Sequence, residues 1–292
     1  MKNWLASYKS TLKDLEDVLD LVFNRFPAYL IVRIAAPLKI SPNALTAMSF
    51  LLTCLATWSY GRGRLGQAAL FIYLKVVFDC SDGQLARYAK ITSPHGRFYD
   101  EVADISGQFL LMGGIGYEMM RMGFSWPVFL SLCASLFFLG ADITIFQNFR
   151  TYYARTYDDR RAPASAARTS RSVFGAAFAV IHGLDALREW TTRLVPVPDI
   201  NAYARKNGLS ADRKDALRAA FRRRFRPVVY AFSLVAGTSH LFSLAVISLL
   251  NRLEWIFPLF ILWYNLTLAA LIVFQIVNVA LFKRRYMPRL AP

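Results

Sequence analysis

Apolar residues recur along this chain in six long runs, separated by short polar stretches and one long one. The runs lie at about 44–60, 67–88, 97–120, 126–150, 228–250 and 254–282, and their lengths suit helices that cross a bilayer. The first run is short for a full crossing and the third begins with charged residues, as expected of helices that project beyond the lipid around a polar site. The pattern predicts an all-α, polytopic membrane protein with six transmembrane helices.

The first forty residues follow a different pattern. Between residues 3 and 23, apolar side chains recur at helical intervals, while most charged side chains fall on the remaining faces. This periodicity predicts one amphipathic helix lying in the membrane interface, although a helix packed on a soluble face would show the same periodicity. A short apolar piece ending near Leu38 continues the interfacial segment. Acidic residues stand where a cleaved signal peptide would have its apolar core, so no such signal is predicted.

Composition agrees with this class of protein. Of the 292 residues, 55% are hydrophobic, and the mean hydropathy of +0.33 is too apolar for an ordinary soluble domain. The formal charge of +16 could indicate nucleic-acid binding, but the basic residues cluster beside the apolar runs, as in cytoplasmic loops that face anionic lipid. Membrane lipid is therefore an expected partner and nucleic acid is not. The three cysteines lie in apolar stretches without metal-ligand spacing and predict neither a zinc site nor disulfides.

Loop charge predicts the orientation of the helices. Lys90, Arg97 and the segment after Arg150 carry much of the positive charge, which places these loops and both termini in the cytoplasm. Arg62 and Arg64 fall on the opposite side and weaken the rule without reversing it.

One stretch stands apart, because residues 155–226 carry 16 basic and 7 acidic side chains. Its start, 161–172, looks flexible, and helices are predicted over 173–190 and 212–226. The stretch either attracts anionic lipid or substrate, or simply sets the topology. We divide the chain into an N-terminal interfacial segment (1–40), transmembrane helices 1–4 (41–154), a basic cytoplasmic insertion (155–226), and helices 5–6 with a basic tail (227–292).

Four carboxylates stand in two pairs within the second and third runs. Asp79 and Asp82 are three residues apart, and Asp100 and Asp104 are four apart, so each pair lies on one helix face. If the two helices pack side by side, four carboxylates meet near a bilayer, where cations are needed to neutralise them. Oxygen ligands of this kind favour Mg²⁺ or Mn²⁺. Lys75, one turn before Asp79, is a candidate either for an ion pair with it or for a substrate contact.

The spacing of this stretch reads D-x-x-D-G-x-x-A-R-x₈-G-x-x-x-D-x-x-x-D and resembles, without a gap, the signature of the CDP-alcohol phosphotransferase family. The eight positions are filled by Asp79, Asp82, Gly83, Ala86, Arg87, Gly96, Asp100 and Asp104. Upstream, Pro42-Asn43 and Thr46 resemble the Pro-Asn-x-x-Thr segment that opens the first membrane helix in this family. The resemblance covers about residues 40–155 and 228–282.

The resemblance implies an enzyme that binds a CDP-linked lipid at the cytoplasmic ends of its helices. In such a site Asp79, Asp82 and Asp100 would be the main ligands of two Mg²⁺ or Mn²⁺ ions. Asp104 would complete the metal site or take the proton from the alcohol, so Asp100 and Asp104 are the candidate catalytic residues. A homodimer is expected by resemblance alone. The implied nucleotide-binding residues are Asn43, Thr46, Asp79, Gly83, Ala86, Arg87 and Gly96.

The acceptor is less well specified. The candidates for its pocket are Ser93 and Arg97, which flank Gly96, and Arg150 and Arg155 at the end of the fourth run. The expected reaction moves a phosphatidyl group from CDP-diacylglycerol to inositol, inositol phosphate, glycerol phosphate or a serine-type alcohol, with release of CMP. Alternatives are transfer of a head group from CDP-choline or CDP-ethanolamine to a diglyceride, a cation transporter or channel, and a non-catalytic scaffold.

Several of these residues also have purely structural interpretations. Gly83 and Gly96 could serve helix packing, and Asn43 and Thr46 could cap the first membrane helix. The three histidines share no spacing and are expected in structural positions. They are His95, His182 and His240.

Overall fold

The computed structural model describes residues 2–12, 16–91, 94–130, 132–133 and 198–287. Every regular element in this part of the chain is helical, which confirms the all-α prediction there. The chain divides into two compact units, one formed by Met1–Phe137 with Gly237–Trp263 and the other by Phe138–Ala236 with Tyr264–Pro292. Most of the fourth predicted span, the segment 161–172 and the predicted helix 173–190 lie outside the described residues.

The first unit is built around three long helices, α3 (Pro42–Gly61), α4 (Leu65–Tyr88) and α5 (Pro94–Arg121). Their bounds lie within a few residues of the predicted spans 44–60, 67–88 and 97–120. α3 packs against both α4 and α5. The connection between α3 and α4 is only three residues long, so the two helices run antiparallel. Gly63 turns the chain there with φ +68°, a backbone conformation that favours glycine.

Threonines of α3 meet glycines of α5. The hydroxyls of Thr53 and Thr57 donate hydrogen bonds to carbonyls one turn earlier in α3, which leaves their methyl groups to face the neighbouring helix. A methyl group added at Gly107 would lie 3.2 Å from Thr53 Cγ2, and one added at Gly114 would lie 2.9 Å from the Thr57 carbonyl oxygen. These glycines allow the two backbones to approach closely.

The N-terminal segment differs from the single helix predicted over 3–23. α1 (Lys2–Ser10) ends where the hydroxyls of Ser10 and Thr11 bond back to carbonyls three residues earlier, a local alternative to continued helix. The helical path resumes at Val18 and runs through a π-helical turn, Asp20–Asn24, into α2 (Arg25–Ala35). α1 and α2 are joined by a hydrogen bond from the Tyr29 hydroxyl to Ser7 Oγ at 2.9 Å.

The fifth predicted span, 228–250, is also divided. The basic helix predicted to end at 226 continues as α7 (Ala211–Ser233), past Pro227, and a new helix, α8 (Gly237–Leu249), follows a turn at 234–236. α8 belongs to the first unit, where it packs against α4. There the Tyr60 hydroxyl of α3 lies 2.5 Å from Ser248 Oγ of α8, with both residues fully buried.

In the second unit, α7 contacts α6 (Ile200–Lys206) and α9 (Asn265–Tyr286). A 3₁₀ turn, Leu253–Trp255, and a π-helical stretch, Phe257–Tyr264, precede α9 in the sequence, and all of their residues except Tyr264 belong to the first unit. Phe221 and Phe225 of α7 stack at 4.6 Å between ring centroids, and both meet Phe282 of α9 edge-on. Aromatic side chains thus join α7 to α9.

Two stretches of the described chain are long and apolar enough to cross a membrane, Ala211–Leu249 and Leu253–Tyr286. α3, α4 and α5 are also long, but they are less apolar than these two stretches. α4 carries Lys75, Asp79, Asp82 and Arg87, and ionisable residues in such numbers lower the apolarity of a helix. The arrangement of six transmembrane helices stays a prediction.

Candidate functional site

Three aspartates from two helices converge in the first unit. Asp79 and Asp82 lie one turn apart in the C-terminal half of α4, and Asp100 lies in the second turn of α5. One carboxylate oxygen from each residue lies within 4.8 Å of the other two. The structure thus brings together the three residues that were predicted to be the main metal ligands.

This geometry suits a divalent cation. Oxygens bound to one Mg²⁺ at about 2.1 Å lie at most about 4.2 Å apart, and Ca²⁺-like distances of about 2.4 Å allow roughly 4.8 Å. The separation in the aspartate cluster of Asp79, Asp82 and Asp100 therefore needs little side-chain rotation to enclose an ion. Asp82 is buried and the other two are half-buried, so three carboxylates in this position need a positive partner.

Thr46 orients one of these carboxylates. Its hydroxyl donates to Asp82 Oδ2 at 2.6 Å across the α3–α4 contact. The helix cap is supplied instead by Ser41, whose hydroxyl accepts from the Ala44 amide at 3.2 Å, with Pro42 in the first turn. Serine before proline is a common start of a helix, so this cap could have been recognised in the sequence. Asn43 is exposed beside it.

The fourth aspartate stands apart from the other three. Asp104 is not part of the aspartate cluster, and its Oδ1 accepts a hydrogen bond from Lys75 Nζ at 2.8 Å. The same ammonium lies 3.8 Å from Asp79 Oδ1. Lys75 thus makes the predicted ion pair with Asp79, but its shorter contact is with α5. Sequence spacing could suggest only the first contact, because the second joins residues 29 positions apart.

Among the described residues, no other helix approaches Gly83. The nearest atoms to a methyl group placed there would be the guanidinium nitrogens of Arg87, at 3.4 and 3.9 Å. In the part of the chain that the structure describes, the surface over Gly83 is therefore bounded by Arg87 alone. Ala86 is half-buried on the next turn.

Arg87 has a partner that the sequence did not suggest. Its Nε donates to the Thr11 carbonyl at 2.5 Å, which ties the end of α4 to the N-terminal segment. No sequence signal reveals this contact, because its acceptor is a backbone atom. Nearby, Gln84 Nε2 donates to the Arg25 carbonyl at 3.2 Å.

A buried ion-pair cluster supports this junction. The Arg25 guanidinium lies 2.5 Å from Glu16 and 3.5 Å from Asp20, and all three side chains are almost fully buried. Burial lowers the pKa of Arg25, but Cys80 and the two carboxylates outweigh it and hold the pKa above its usual value. The cluster therefore stays charged and fixes the N-terminal segment beside the helix that carries the aspartates.

The remaining predicted site residues are only partly described. Gly96 lies in the first turn of α5 and is half-buried. Ser93, Arg150, Arg155 and the side chain of Arg97 lie outside the described residues, so the predicted acceptor contacts stay predictions.

The histidines are in a similar position. The side chain of His95 and the whole of His182 lie outside the described residues. His240 is buried in α8, with its ring 5.7 Å from that of Phe260.

Comparison with known proteins supports the interpretation of the motif. Residues 39–195, more than half of the chain, match the family described as CDP-alcohol phosphatidyltransferase. Searches of the curated proteins and of the solved structures give no match. The matched range contains the aspartate cluster, Thr46, Lys75 and Asp104, and the apolar helices described above agree with an integral membrane protein. The chain belongs to the CDP-alcohol phosphatidyltransferase family of phosphotransferases, enzymes of phospholipid synthesis.

Proposed function

We propose that this enzyme transfers the phosphatidyl group of CDP-diacylglycerol to a small polar alcohol and releases CMP. The acceptor would be inositol, inositol phosphate, glycerol phosphate or a serine-type alcohol. The observation that carries the proposal is the convergence of Asp79, Asp82 and Asp100 within the range matched by the family. Such a cluster can neutralise a diphosphate through bound cations, as transfer of a phosphorus group requires.

The cluster would hold two Mg²⁺ or Mn²⁺ ions, which supply positive charge to the diphosphate oxygens when bound. Thr46 keeps Asp82 oriented through its hydrogen bond. The clear surface over Gly83 offers space for the nucleotide against the helix backbone. The residues of α3 and α4 thus position the donor.

The acceptor hydroxyl attacks the phosphorus that carries the diacylglycerol, and the bond from this phosphorus to the bridging oxygen of the diphosphate breaks. CMP takes the bridging oxygen and leaves. The proton of the hydroxyl passes to Asp104, whose side chain is half exposed and therefore accessible to an incoming alcohol. We further propose that the helices form six membrane spans, that the site opens to the cytoplasm, and that the enzyme acts as a homodimer.

The test is an assay of purified protein in detergent with labelled CDP-diacylglycerol and Mn²⁺. Inositol, inositol phosphate, glycerol phosphate, serine, choline and ethanolamine are offered one at a time, and lipid products are resolved by mass. CMP release that depends on one water-soluble alcohol supports the proposal. No CMP release with any of them, together with turnover of CDP-choline or CDP-ethanolamine and a diglyceride, would replace it with head-group transfer.

A pair of variants separates chemistry from general damage. Asp82→Asn removes a cluster carboxylate and should abolish CMP release, whereas Glu254→Gln removes a carboxylate from a surface pair with Arg252 and should leave it unchanged. If the protein conducts cations in reconstituted vesicles and Asp104→Asn alters this flux, the protein is a channel instead. Retention of full CMP release by Asp82→Asn would contradict the assigned site.

A further inference from the structure

Lys75 lies within ion-pair distance of two carboxylates of the described site, Asp79 and Asp104. It lies one turn before Asp79 on α4, and 14% of its side chain is exposed. Its ammonium donates to Asp104 at 2.8 Å and lies 3.8 Å from Asp79. A charged group this buried is stable only with such partners.

The contact with Asp104 divides the four aspartates of the motif. Asp79, Asp82 and Asp100 are mutually close, and the fourth carboxylate is paired with the lysine instead. One turn of α5 separates Asp100 from Asp104, so both lie on the same face of that helix. The aspartates alone would let Asp104 join the other three around a cation. Instead, the ammonium of Lys75, which also lies 3.8 Å from Asp79 Oδ1, donates to Asp104 Oδ1.

We propose that Lys75 is a positioning residue, which holds Asp104 apart from the aspartate cluster so that this carboxylate meets the acceptor hydroxyl instead of ligating metal. The inference rests on the function proposed above and assigns a role to a residue outside the eight positions of the motif. It also explains why half of the Asp104 side chain is exposed while its neighbours in the site are more enclosed.

Removing the lysine should therefore strengthen metal binding and weaken catalysis. In Lys75→Met, Asp104 is freed to become a further metal ligand and a positive charge is lost beside Asp79, so Mn²⁺ should bind about tenfold or more tightly. CMP release should fall by about 10²-fold because the proton acceptor is misplaced. The KM for CDP-diacylglycerol should change much less than kcat. A purely structural lysine would weaken metal binding and turnover together.

The experiment measures Mn²⁺ binding by calorimetry without substrate, and kcat and KM separately, in the wild-type protein and three variants. Lys75→Met is the test. Lys75→Arg keeps a donor and a charge, so it should bind Mn²⁺ like the wild type and recover part of the lost kcat. Lys9→Gln removes an exposed lysine from α1 and serves as the matched control. Thermal unfolding in detergent verifies that each variant is folded.

Tighter Mn²⁺ binding with lower kcat in Lys75→Met, and neither change in Lys9→Gln, supports the inference. Unchanged or weaker Mn²⁺ binding in Lys75→Met overturns the inference. If Lys75→Met fails to fold, the inference is also overturned when Lys75→Arg binds Mn²⁺ like the wild type but recovers no kcat. A wild-type protein that binds Mn²⁺ but never releases CMP refutes the proposed function instead. In that case the binding comparison still tests whether Lys75 keeps Asp104 from the metal.

Discussion

Two adjacent glycines of α5 allow a sharp test of the helix packing that supports the site. A methyl group at Gly114 would lie 2.9 Å from the Thr57 carbonyl oxygen and 3.0 Å from Thr57 Cγ2, whereas one at Gly113 would meet no atom of the described residues within 4 Å. The carbonyl is backbone and cannot rotate away. Since a close carbon–oxygen contact is about 3.3 Å, Gly114→Ala must move α3 and α5 apart by roughly 0.4 Å.

The magnitude follows from the difference between the two variants. Replacing glycine by alanine in a helix stabilises it by about 1 kcal/mol, and this gain is common to both. Overpacking costs about 1–3 kcal/mol and applies only to Gly114→Ala. The free energy of unfolding of Gly114→Ala should therefore be about 1–3 kcal/mol lower than that of Gly113→Ala.

The assay is unfolding of each purified variant in mixed micelles with increasing sodium dodecyl sulphate, followed by circular dichroism. Activity provides a second measurement, because Gly114 lies ten residues from Asp104, or about 15 Å along the helix. The displacement of roughly 0.4 Å is close to the limit of about 0.5 Å within which a catalytic site must be held, so CMP release should fall at most modestly in Gly114→Ala and not at all in Gly113→Ala. Equal unfolding free energies for the two variants would refute the close approach of α3 and α5.

Four further substitutions test other contacts of the first unit. Tyr60→Phe and Ser248→Ala should each lower the free energy of unfolding by about 1–2 kcal/mol, because each leaves a buried hydroxyl without its partner. The double variant should lose less stability than the sum of the two single losses, and additive losses would contradict the hydrogen bond. Arg25→Gln should lower the free energy of unfolding by about 3–5 kcal/mol, since two buried carboxylates lose their cation. A thermal midpoint within about 2 °C of the wild type would contradict this prediction. Thr46→Val should weaken Mn²⁺ binding about tenfold or more by releasing Asp82, as measured by calorimetry, and unaltered affinity would mean that the hydrogen bond does not orient the ligand.

The sequence was sufficient to predict the part of the site that depends on helical periodicity. The spacing of Asp79 and Asp82, and of Asp100 and Asp104, places each pair on one face of a helix, and the short connections force neighbouring helices to pack. Convergence of the first three aspartates follows from these two facts. The separation of Asp104 from them does not, because it depends on the reach and rotamer of Lys75 across a helix contact.

Helix interruptions were predicted less well. Residues 3–23 show amphipathic periodicity throughout, yet α1 ends at Ser10 and the Thr11 carbonyl accepts from Arg87 instead of continuing the helix. The periodicity of apolar residues shows which faces of a helix are buried. It does not show that a side chain from another helix donates a hydrogen bond to one of the backbone carbonyls. The turn at 234–236 was also missed, because the predicted span is apolar on average although the polar stretch Gly237-Thr238-Ser239-His240 follows the turn directly.

The two kinds of helix in this enzyme explain why hydropathy identifies some of them better than others. α9 exposes Leu266, Val273 and Phe274 while burying Gln275 and Asn278, the inverse of a soluble helix and the arrangement expected where lipid is the solvent. Its polar groups are few, so its apolarity is high. α4 carries the ammonium of Lys75, the carboxylates of Asp79 and Asp82 and the guanidinium of Arg87, and each of these lowers its apolarity. The helices that provide the chemistry are therefore those that a hydropathy scale recognises least, and the spacing of their charged residues identifies them instead.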